Sequence, residues 1–360
     1  MPEDTPSLSE LIDMQIRQHG PMSIANYMGL ALTHPREGYY RRGGAIGAAG
    51  DFVTAPEISQ MFGEIVGFFL VNLWQQMNEP KAFALLELGP GRGTLLDDVL
   101  RVGARAPGFL EAVSVELFET DVGLANEQRA RLGNYHPRWI QNFDLPEDTP
   151  LLVLANEFFD ALPIRQFVRG RDGWHERMVG LDGGKRYFGL SPTPIPPDAL
   201  PAAVRAAPEG AVYEAGLAAN EVISRLAKAV ARRGGAILAI DYGYAETQPG
   251  ETLQAVRRHA YADPLEAPGE TDLSAHVDFG ALGDTARAAG LATAKLATQG
   301  DFLKELGIVA RAATLARANP DEAPAINTAL ERLTGPAQMG NLFKVFCAHS
   351  PGLVPQGFPP

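Results

Sequence analysis

The chain has 360 residues, 46% of them hydrophobic and 21% charged, which is typical of a globular protein with one large domain or two. Its net charge of −12 argues against general nucleic-acid binding, because no basic cluster is strong enough to neutralise phosphates, and it favours a basic partner. The single cysteine, Cys347, excludes an intramolecular disulfide and a cysteine-based zinc site, no metal site is predicted, and no apolar stretch is long enough to span a membrane.

The first 80 residues carry mainly helical patterns. Apolar side chains at helical spacing predict two helices within residues 7–33 and a long buried helix from Ile58 to Leu73. Between them, the glycine-rich residues 43–50 have almost nothing to pack, which predicts a mobile or ligand-facing loop. We therefore predict an N-terminal helical cap over residues 1–80.

A glycine-rich turn follows the cap and organises the rest of the chain. The apolar run from Phe83 to Leu88 has the length of a strand, and three alternating glycines then lead into a helical pattern. Thr94 and Asp97 have the spacing of a capping box, which predicts that the helix begins there. Strand, turn and helix together predict the first βα unit of a nucleotide-binding sheet.

The acid beside this turn indicates which ligand it binds. The third glycine comes one residue too early for a dinucleotide fingerprint, and the carboxylate of Glu87 would repel a pyrophosphate. S-adenosylmethionine carries an ammonium group and no phosphate, so the turn resembles motif I of the class I methyltransferases that use it. The alternative is a structural turn in another α/β protein, and a dehydrogenase is disfavoured. The predicted cofactor-binding residues here are Glu87, Gly89, Pro90, Gly91 and Gly93.

The remaining chain predicts a sheet interrupted by insertions. Further strands are expected at about 112–118, 138–141, 151–155, 236–241, 292–298 and 342–348. Turn signals between Phe167 and Leu190 predict β-hairpins, residues 214–233 an amphipathic helix, and residues 243–277 a long loop facing the substrate. Asp278 should cap a short helix, and two helices should occupy about 301–333.

The predicted domain organisation follows from these elements. A nucleotide-binding domain should cover residues 81–349, with insertions at about 164–212 and 243–277. Residues 350–360, rich in proline and glycine, should form a poorly ordered tail.

Further acids outside the turn are candidates for binding the cofactor. Glu119 follows the second strand, where a carboxylate can accept two hydrogen bonds from ribose hydroxyls, and Glu116 competes for this role. Asp144 lies where it can hold an adenine amino group, although a solvated turn aspartate explains it equally well. The proline-anchored segment from Asp51 to Glu57 should fold over the cofactor, with Glu57 facing the site.

A second polar cluster follows the strand at 151–155. Asn156, Glu157 and Asp160 stand at a strand end among phenylalanines, where polar groups are costly unless they bind something. The alternative is a helix N-terminus capped by Asn156, with the two acids favoured by the helix dipole.

Five separated motifs resemble the MidA family of S-adenosylmethionine-dependent methyltransferases, which includes a mitochondrial complex I assembly factor. They are Gly50 to Glu57, Glu87 to Gly93, Asn156 to Pro163, Asp241 to Tyr244 and Asp272 to Phe279. The resemblance covers about residues 7–349. It implies a class I fold, an α/β architecture whose mostly parallel, Rossmann-like sheet has an antiparallel last strand. It also implies S-adenosylmethionine as donor and a protein arginine as acceptor, with a complex I subunit as one candidate.

The predicted catalytic residues are Asn156, Glu157, Asp160 and His276, although a lone histidine such as His276 is more often structural. The expected location is the bacterial cytoplasm, or the mitochondrial matrix after removal of a transit peptide, and a homodimer is considered. Two alternatives stay open: a methyltransferase for small molecules, and an assembly chaperone that binds the cofactor with little turnover.

Overall fold

The computed structural model describes residues 6–41, 54–141 and 148–359. Its fourteen α-helices are α1 Leu8–His19, α2 Ile24–Thr33, α3 Ala55–Ile58, α4 Gln60–Gln76, α5 Thr94–Gly103, α6 Phe109–Ala112, α7 Val122–Leu132, α8 Ala202–Arg205, α9 Leu217–Arg233, α10 Phe279–Ala288, α11 Gln299–Glu305, α12 Ile308–Ala318, α13 Ala323–Thr334 and α14 Met339–Leu342. Short 3₁₀ turns are formed by Tyr39–Arg41, Gly133–Tyr135, Pro197–Ala199 and Pro320–Glu322. None of the described helices has the length and apolar character that crossing a membrane requires.

Seventeen strands are present in the described residues. They are β1 Met22–Ser23, β2 Phe83–Leu88, β3 Val113–Phe118, β4 Arg138–Ile140, β5 Leu151–Asn156, β6 Arg165–Arg169, β7 Trp174–Asp182, β8 Lys185–Leu190, β9 Val212–Ala215, β10 Gly235–Tyr244, β11 Gln254–Arg257, β12 Ala260–Tyr261, β13 Asp272–Ser274, β14 Val277–Asp278, β15 Ala292–Thr293, β16 Ala297–Thr298 and β17 Phe343–His349.

The main sheet has the architecture that the resemblance implies. Its strands lie in the order β15-β17-β10-β5-β2-β3-β4. The short strands β15 and β16 pair with different parts of β17. Strands β10, β5, β2, β3 and β4 are parallel, whereas β17 pairs antiparallel with β10. The carboxyl ends of β2 and β5 are therefore neighbours at one edge, where open α/β sheets place their ligands. The predicted mostly parallel sheet with an antiparallel last strand is confirmed.

Both faces of the main sheet are covered by helices, so its strands are apolar on both sides. In β2, Leu85 packs in a core with α4 and α5, whereas Leu86 packs in a core with α9 and α10. Cys347 of β17 is fully buried in the first of these cores.

The N-terminal segment does not pack as one body. Helices α1 and α2 share a core with Val179 and Ile164 of the first insertion, and β1 pairs antiparallel with β7. Arg186 of β8 donates from its Nε to Asp13 Oδ1 over 2.8 Å, which fixes α1 to this insertion. Helix α4 instead lies in the core of the main sheet. The predicted boundary at residue 80 stays a prediction.

The two insertions form small sheets. Strands β6, β7 and β8 form the hairpins predicted from the turn signals, and β6 also pairs with β9. Residues 243–277, predicted as a long loop, contain the three-stranded sheet of β11, β12 and β13.

Several predicted elements differ from the structure. Helix α9 begins at Leu217 rather than 214, because residues 212–215 pair with β6. The region 301–333 holds parts of three helices instead of two. The sixth strand, predicted at 292–298, is two separate two-residue strands. Asp278 caps α10 as predicted, accepting a hydrogen bond from the backbone N–H of Ala281.

The C-terminal tail also differs from its prediction. The ring of Phe358 contacts Phe69 of α4 at a centroid distance of 6.0 Å and Phe302 of α11 at 5.3 Å. The backbone N–H of Val354 donates to Gln76 Oε1 over 2.8 Å. The tail was expected to be poorly ordered because of its proline and glycine content, but the side chain of Phe358 packs against α4 and α11.

Candidate active site

The glycine turn after β2 brings backbone close to its neighbours. Gly89, Gly91 and Gly93 have φ of 60°, 53° and 77°, a region that favours glycine. A Cβ on Gly89 would lie 3.0 Å from Phe158 Cδ2, and one on Gly93 would lie 3.2 Å from Leu132 Cδ1. The predicted capping box is wrong: Gly93 is the N-cap of α5, and Thr94 is already helical.

Glu87 is a buried acid beside this turn. Its side chain belongs to β2, the residue is 2% exposed, and Oε2 has no hydrogen-bond partner among the described residues. Burial raises its pKa to about 8, with a smaller contribution from the charge of Glu119. An unpaired buried carboxyl is costly in isolation and matches a ligand that brings a cation.

Glu119 occupies the position expected for a ribose-binding acid. One carboxylate oxygen accepts from the backbone N–H of Asp121 over 2.7 Å, and the other accepts from Gln128 Nε2 over 3.1 Å. Gln128 also donates to the carbonyl of Gly91 over 2.7 Å, so it ties the acid to the glycine turn. The competitor Glu116 is buried in an ion pair with Arg138 instead. Asp144 lies outside the described residues.

Gln128 is a residue of the site that the sequence did not predict. It is fully buried on α7, and its Oε1 accepts from the indole Nε1 of Trp139 over 2.8 Å. A glutamine in a helical pattern is ordinarily solvent-facing, so no local signal distinguished it.

Two adjoining cavities follow this edge of the sheet and share Gly89, Gly91 and Glu157. The smaller one is also lined by Glu57, Glu87, Pro90, Thr94 and Asn156. The larger one is also lined by Thr33, Tyr40, Phe118, Glu119 and Phe158. Together they form the cleft that we treat as the cofactor site.

Helix α3 lies against the glycine turn. Thr94 Oγ1 donates to Glu57 Oε1 over 2.5 Å, and Arg92 Nη1 is 3.8 Å from Glu57 Oε2. The backbone N–H of Ala55 donates to Glu157 Oε1 over 3.1 Å. The described part of the segment predicted to fold over the cofactor thus contacts both the turn and the second polar cluster. Residues 51–53 lie outside the described residues.

The second polar cluster occupies a turn directly after β5. Glu157 has φ of 51°, unusual for a residue with a side chain, and its N–H donates to the carbonyl of Ile240 over 2.9 Å. Asn156 Nδ2 donates to Glu157 Oε1 over 3.1 Å. No helix follows within 157–164, so Asn156 is not a helix cap and the alternative explanation of these residues is excluded.

Burial shifts the acids of this turn. It raises the pKa of Glu157 to about 7, and the charge of Asp160 adds to the shift. Burial also raises the pKa of Asp160 to about 6, although a hydrogen bond from the Tyr242 hydroxyl opposes it. Within the described part of the chain, Asp160 Oδ1 and Asn156 Oδ1 are buried without a partner. These oxygens are acceptors available to a donor from outside the chain.

The sequence of residues 65–297 matches the model of a family described as "Putative S-adenosyl-L-methionine-dependent methyltransferase". The chain belongs to this family. The relatives named "Protein arginine methyltransferase NDUFAF7, mitochondrial" include one from Danio rerio, 36% identical over 91% of this chain and 83% of its own length. Another from Homo sapiens is 34% identical over 95% of this chain and 83% of its own length.

Solved structures agree with this membership. A likely methyltransferase from Burkholderia thailandensis bound to S-adenosyl-homocysteine superposes with a TM-score of 0.84 and 25% identity, covering 99% of this chain and 97% of its own. A second structure from the same organism, from the same superfamily, has a TM-score of 0.81 and 27% identity, covering 98% and 96%. The predicted class I methyltransferase fold and family relationship are confirmed, and the protein is an S-adenosylmethionine-dependent methyltransferase.

The cleft of the methyltransferase fits this cofactor. We expect Glu87 to hold the ammonium group, because its buried carboxyl has a free oxygen. The turn of Gly89, Pro90, Gly91 and Gly93 allows a close backbone approach, and Glu119 has acceptor capacity left for ribose hydroxyls. When bound, S-adenosylmethionine supplies an electrophilic methyl group on a sulfonium.

His276 lies apart from the other predicted catalytic residues. It lines a separate, small cavity with Phe159 and Asp278, and burial lowers the pKa of its half-buried ring. Its ring packs edge-on against Tyr242 at a centroid distance of 5.4 Å. Tyr242 thus lies next to His276 in the methyltransferase, and the catalytic role of His276 stays a prediction.

Proposed function

We propose that this methyltransferase transfers a methyl group to the side chain of an arginine in a protein. The observation that carries the proposal is the position of Glu157, which lines both cofactor cavities and belongs to the same turn as Asp160. Asp160 contributes a buried oxygen without a partner among the described side chains. The acceptor acids thus stand directly beside the cleft that holds the donor.

The chemistry of arginine matches this arrangement. A guanidinium group stays charged at neutral pH, and delocalisation of the charge makes its nitrogens poor nucleophiles. Two carboxylates can hold it through several N–H groups and draw the positive charge away from one nitrogen. As the N–C bond forms, the C–S bond of the sulfonium would break to leave S-adenosylhomocysteine, and the nitrogen would lose one proton, which a carboxylate of this pair can accept. The rest of the task is alignment of the nitrogen with the methyl group, to which the hydrogen-bonded acids contribute. The acceptor's charge also offsets the repulsion between Glu157 and Asp160.

A protein acceptor is supported by the relatives and by the architecture. The relatives at 34–36% identity are named protein arginine methyltransferases. In addition to the main sheet, this chain has α1, α2 and two insertion sheets, which suits a bulky acceptor. From the resemblance of the five motifs, we propose a respiratory complex I subunit as the acceptor. The relatives named mitochondrial favour the mitochondrial alternative for the location, and the bacterial cytoplasm stays a prediction.

Mass spectrometry of cells with and without the gene tests the proposal. We expect at least one methylarginine on a basic protein to disappear in the deletion strain and to return when the gene is restored. As a control, restoration with Glu221→Gln, a change in an exposed ion pair on α9, should work equally well.

If no methylarginine changes while the purified protein binds S-adenosylhomocysteine, the proposal is wrong. The alternatives of a small-molecule acceptor or an assembly chaperone would then replace it. Light scattering of the purified protein tests the predicted homodimer.

A further inference from the structure

The end of β10 lies directly beneath the turn that carries the acceptor acids. Asp241 is fully buried, and its Oδ2 accepts from the backbone N–H groups of Phe159 and Asp160 over 3.0 and 3.2 Å. Its Oδ1 accepts from the N–H of Tyr242 over 3.0 Å. One carboxylate thus fixes two consecutive amides of a turn that has no helix or strand hydrogen bonds of its own.

Tyr242 acts on the side chain of Asp160. A hydrogen-bonding interaction with its hydroxyl lowers the pKa of Asp160, and Ser274 interacts with the same hydroxyl. Its ring is held edge-on between His276 and Phe343, each at a centroid distance of 5.4 Å. With this hydroxyl engaged, Asp160 Oδ1 is the oxygen that has no partner in the described structure.

The free-energy cost of placing Asp160, Glu157 and Asp241 close together argues against a purely structural role for these acids. Asp241 is buried beside Asp160 and Glu157, and burial together with these two neighbouring charges raises its pKa well above the usual range. Two buried carboxyls and the half-buried Glu157 around one turn are costly in the free protein, whereas neutral residues would fill the same space at lower cost. Such a cluster becomes favourable when a cation enters it.

We propose that Asp241 and Tyr242 are positioning residues for the acceptor: Asp241 fixes the turn, and Tyr242 orients Asp160 so that its free oxygen meets the guanidinium. This inference rests on the proposed arginine acceptor. In this arrangement, His276 contributes to the site by packing against the Tyr242 ring. Neither Asp241 nor Tyr242 is among the residues that line the two cofactor cavities.

A pair of probes delivers a guanidinium to this site without knowledge of the natural acceptor. Both are adenosine analogues with an alkylamine arm at the 5′ position; one arm ends in a guanidine and the other in an uncharged urea of the same shape. The ratio of their dissociation constants, measured by calorimetry, reports how strongly the acceptor site prefers the charged group. S-adenosylhomocysteine binding, measured on each variant, checks that the fold and the cofactor site are intact.

In the wild type we expect the guanidine to bind at least about tenfold more tightly than the urea, as for a charge-assisted hydrogen bond. Tyr242→Phe should reduce this preference about tenfold and leave the affinity for S-adenosylhomocysteine unchanged. The matched control is Tyr244→Phe, which removes a buried hydroxyl from the same strand but lies near Asp278 and Glu214 rather than Asp160. It should keep the full preference. Asp241→Asn, which loses one acceptor of the turn's amides, should lose the preference as well.

The pH dependence of the guanidine preference distinguishes two effects of Tyr242→Phe: loss of the interaction with Asp160, and a change in packing. The groups that face Asp160 are Glu157, Asp241, Tyr242 and Tyr40, with His276 behind the Tyr242 ring. Losing the Tyr242 hydroxyl removes an interaction that lowers the pKa of Asp160. The guanidine preference should therefore be lost at a higher pH in Tyr242→Phe than in the wild type, as pH falls. A change in packing alone would not move this midpoint.

The outcomes distinguish the two levels of the proposal. Wild-type preference for guanidine that persists in Tyr242→Phe, or falls equally in Tyr244→Phe, overturns the inference and leaves the arginine acceptor standing. Equal binding of guanidine and urea to the wild type overturns the arginine acceptor and the inference with it.

Discussion

The cofactor half and the acceptor half of the cleft are built in different ways. The cofactor half comes mostly from one continuous stretch, Glu87 to Thr94, followed by Glu119 one strand later. The acceptor half is assembled from segments far apart in the chain: α3 touches Glu157, and β10 holds Asp160. Changes in the first half should therefore act on binding of the cofactor, and changes in the second on transfer.

The largest effect is expected from Gly91→Val. Gly91 has φ of 53°, which a β-branched side chain adopts only under strain, and the new side chain would stand in the cofactor cleft. We expect affinity for S-adenosylhomocysteine to fall by more than about 10² while the circular dichroism spectrum is retained. An affinity within a few fold of the wild type would show that the turn is only structural.

Glu157→Gln tests the opposite half. The change keeps the shape and removes the charge that should hold the guanidinium, so methyl transfer should slow by roughly 10–10². Affinity for S-adenosylhomocysteine should change by less than about threefold. Transfer is measured as methylarginine formed by the purified variant on extract from the deletion strain. Wild-type rates would contradict the assignment of Glu157 to the acceptor.

Glu87→Gln tests whether the buried acid binds the ammonium group. Because burial raises the pKa of Glu87 to about 8, the free protein holds this carboxyl protonated at neutral pH. Binding a cation then releases a proton, so wild-type affinity for S-adenosylhomocysteine should rise as pH increases from about 6 to 8. The variant should bind about tenfold more weakly at pH 8, with a flatter pH dependence.

The same shift affects stability, with a sign that can be checked. Between pH 4.5, the usual pKa of a glutamate, and about pH 8, the folded protein binds more protons at Glu87 than the unfolded chain does. The contribution of Glu87 to the free energy of unfolding therefore falls as pH rises through this range, and Glu87→Gln should remove that contribution. Thermal unfolding of the free protein at pH 6 and pH 8 measures it; an identical pH response in the variant would contradict the prediction.

The smallest effect is expected from Gln128→Leu. This change removes the bonds from Gln128 to the Gly91 carbonyl and to Glu119, which orient the cofactor half without being placed in direct contact with the ligand. We expect S-adenosylhomocysteine affinity to fall about three- to tenfold, as for one or two lost hydrogen bonds. A decrease as large as that of Gly91→Val would mean that Gln128 itself binds the cofactor.

The same contrast explains what the sequence could predict. The turn after β2 and the polar cluster after β5 were found because each is a short local pattern at the end of an apolar strand. The central strands were located for the same reason. Asp241 was not predicted as a site residue. Its partners, Phe159 and Asp160, are about 80 positions away, and no periodicity in one sequence connects them.

The wrong predictions have a related cause. Thr94 was expected to cap its own helix, a local arrangement, but its hydroxyl bonds instead to Glu57, which lies 37 positions earlier. The tail was expected to be disordered from its composition, yet Phe358 packs against two distant helices. Local patterns identified the elements, and tertiary contacts then decided how individual side chains were used.

The backbone of Glu157 sets activity against stability. A glutamate held at φ of 51° costs about 1–3 kcal/mol, a strain that asparagine or glycine would largely relieve. Selection for thermal stability alone would therefore favour replacing the residue on which transfer should depend. A selection for thermal stability should therefore enrich inactive, more stable variants at position 157. A library designed for such a selection should keep Glu157 unchanged.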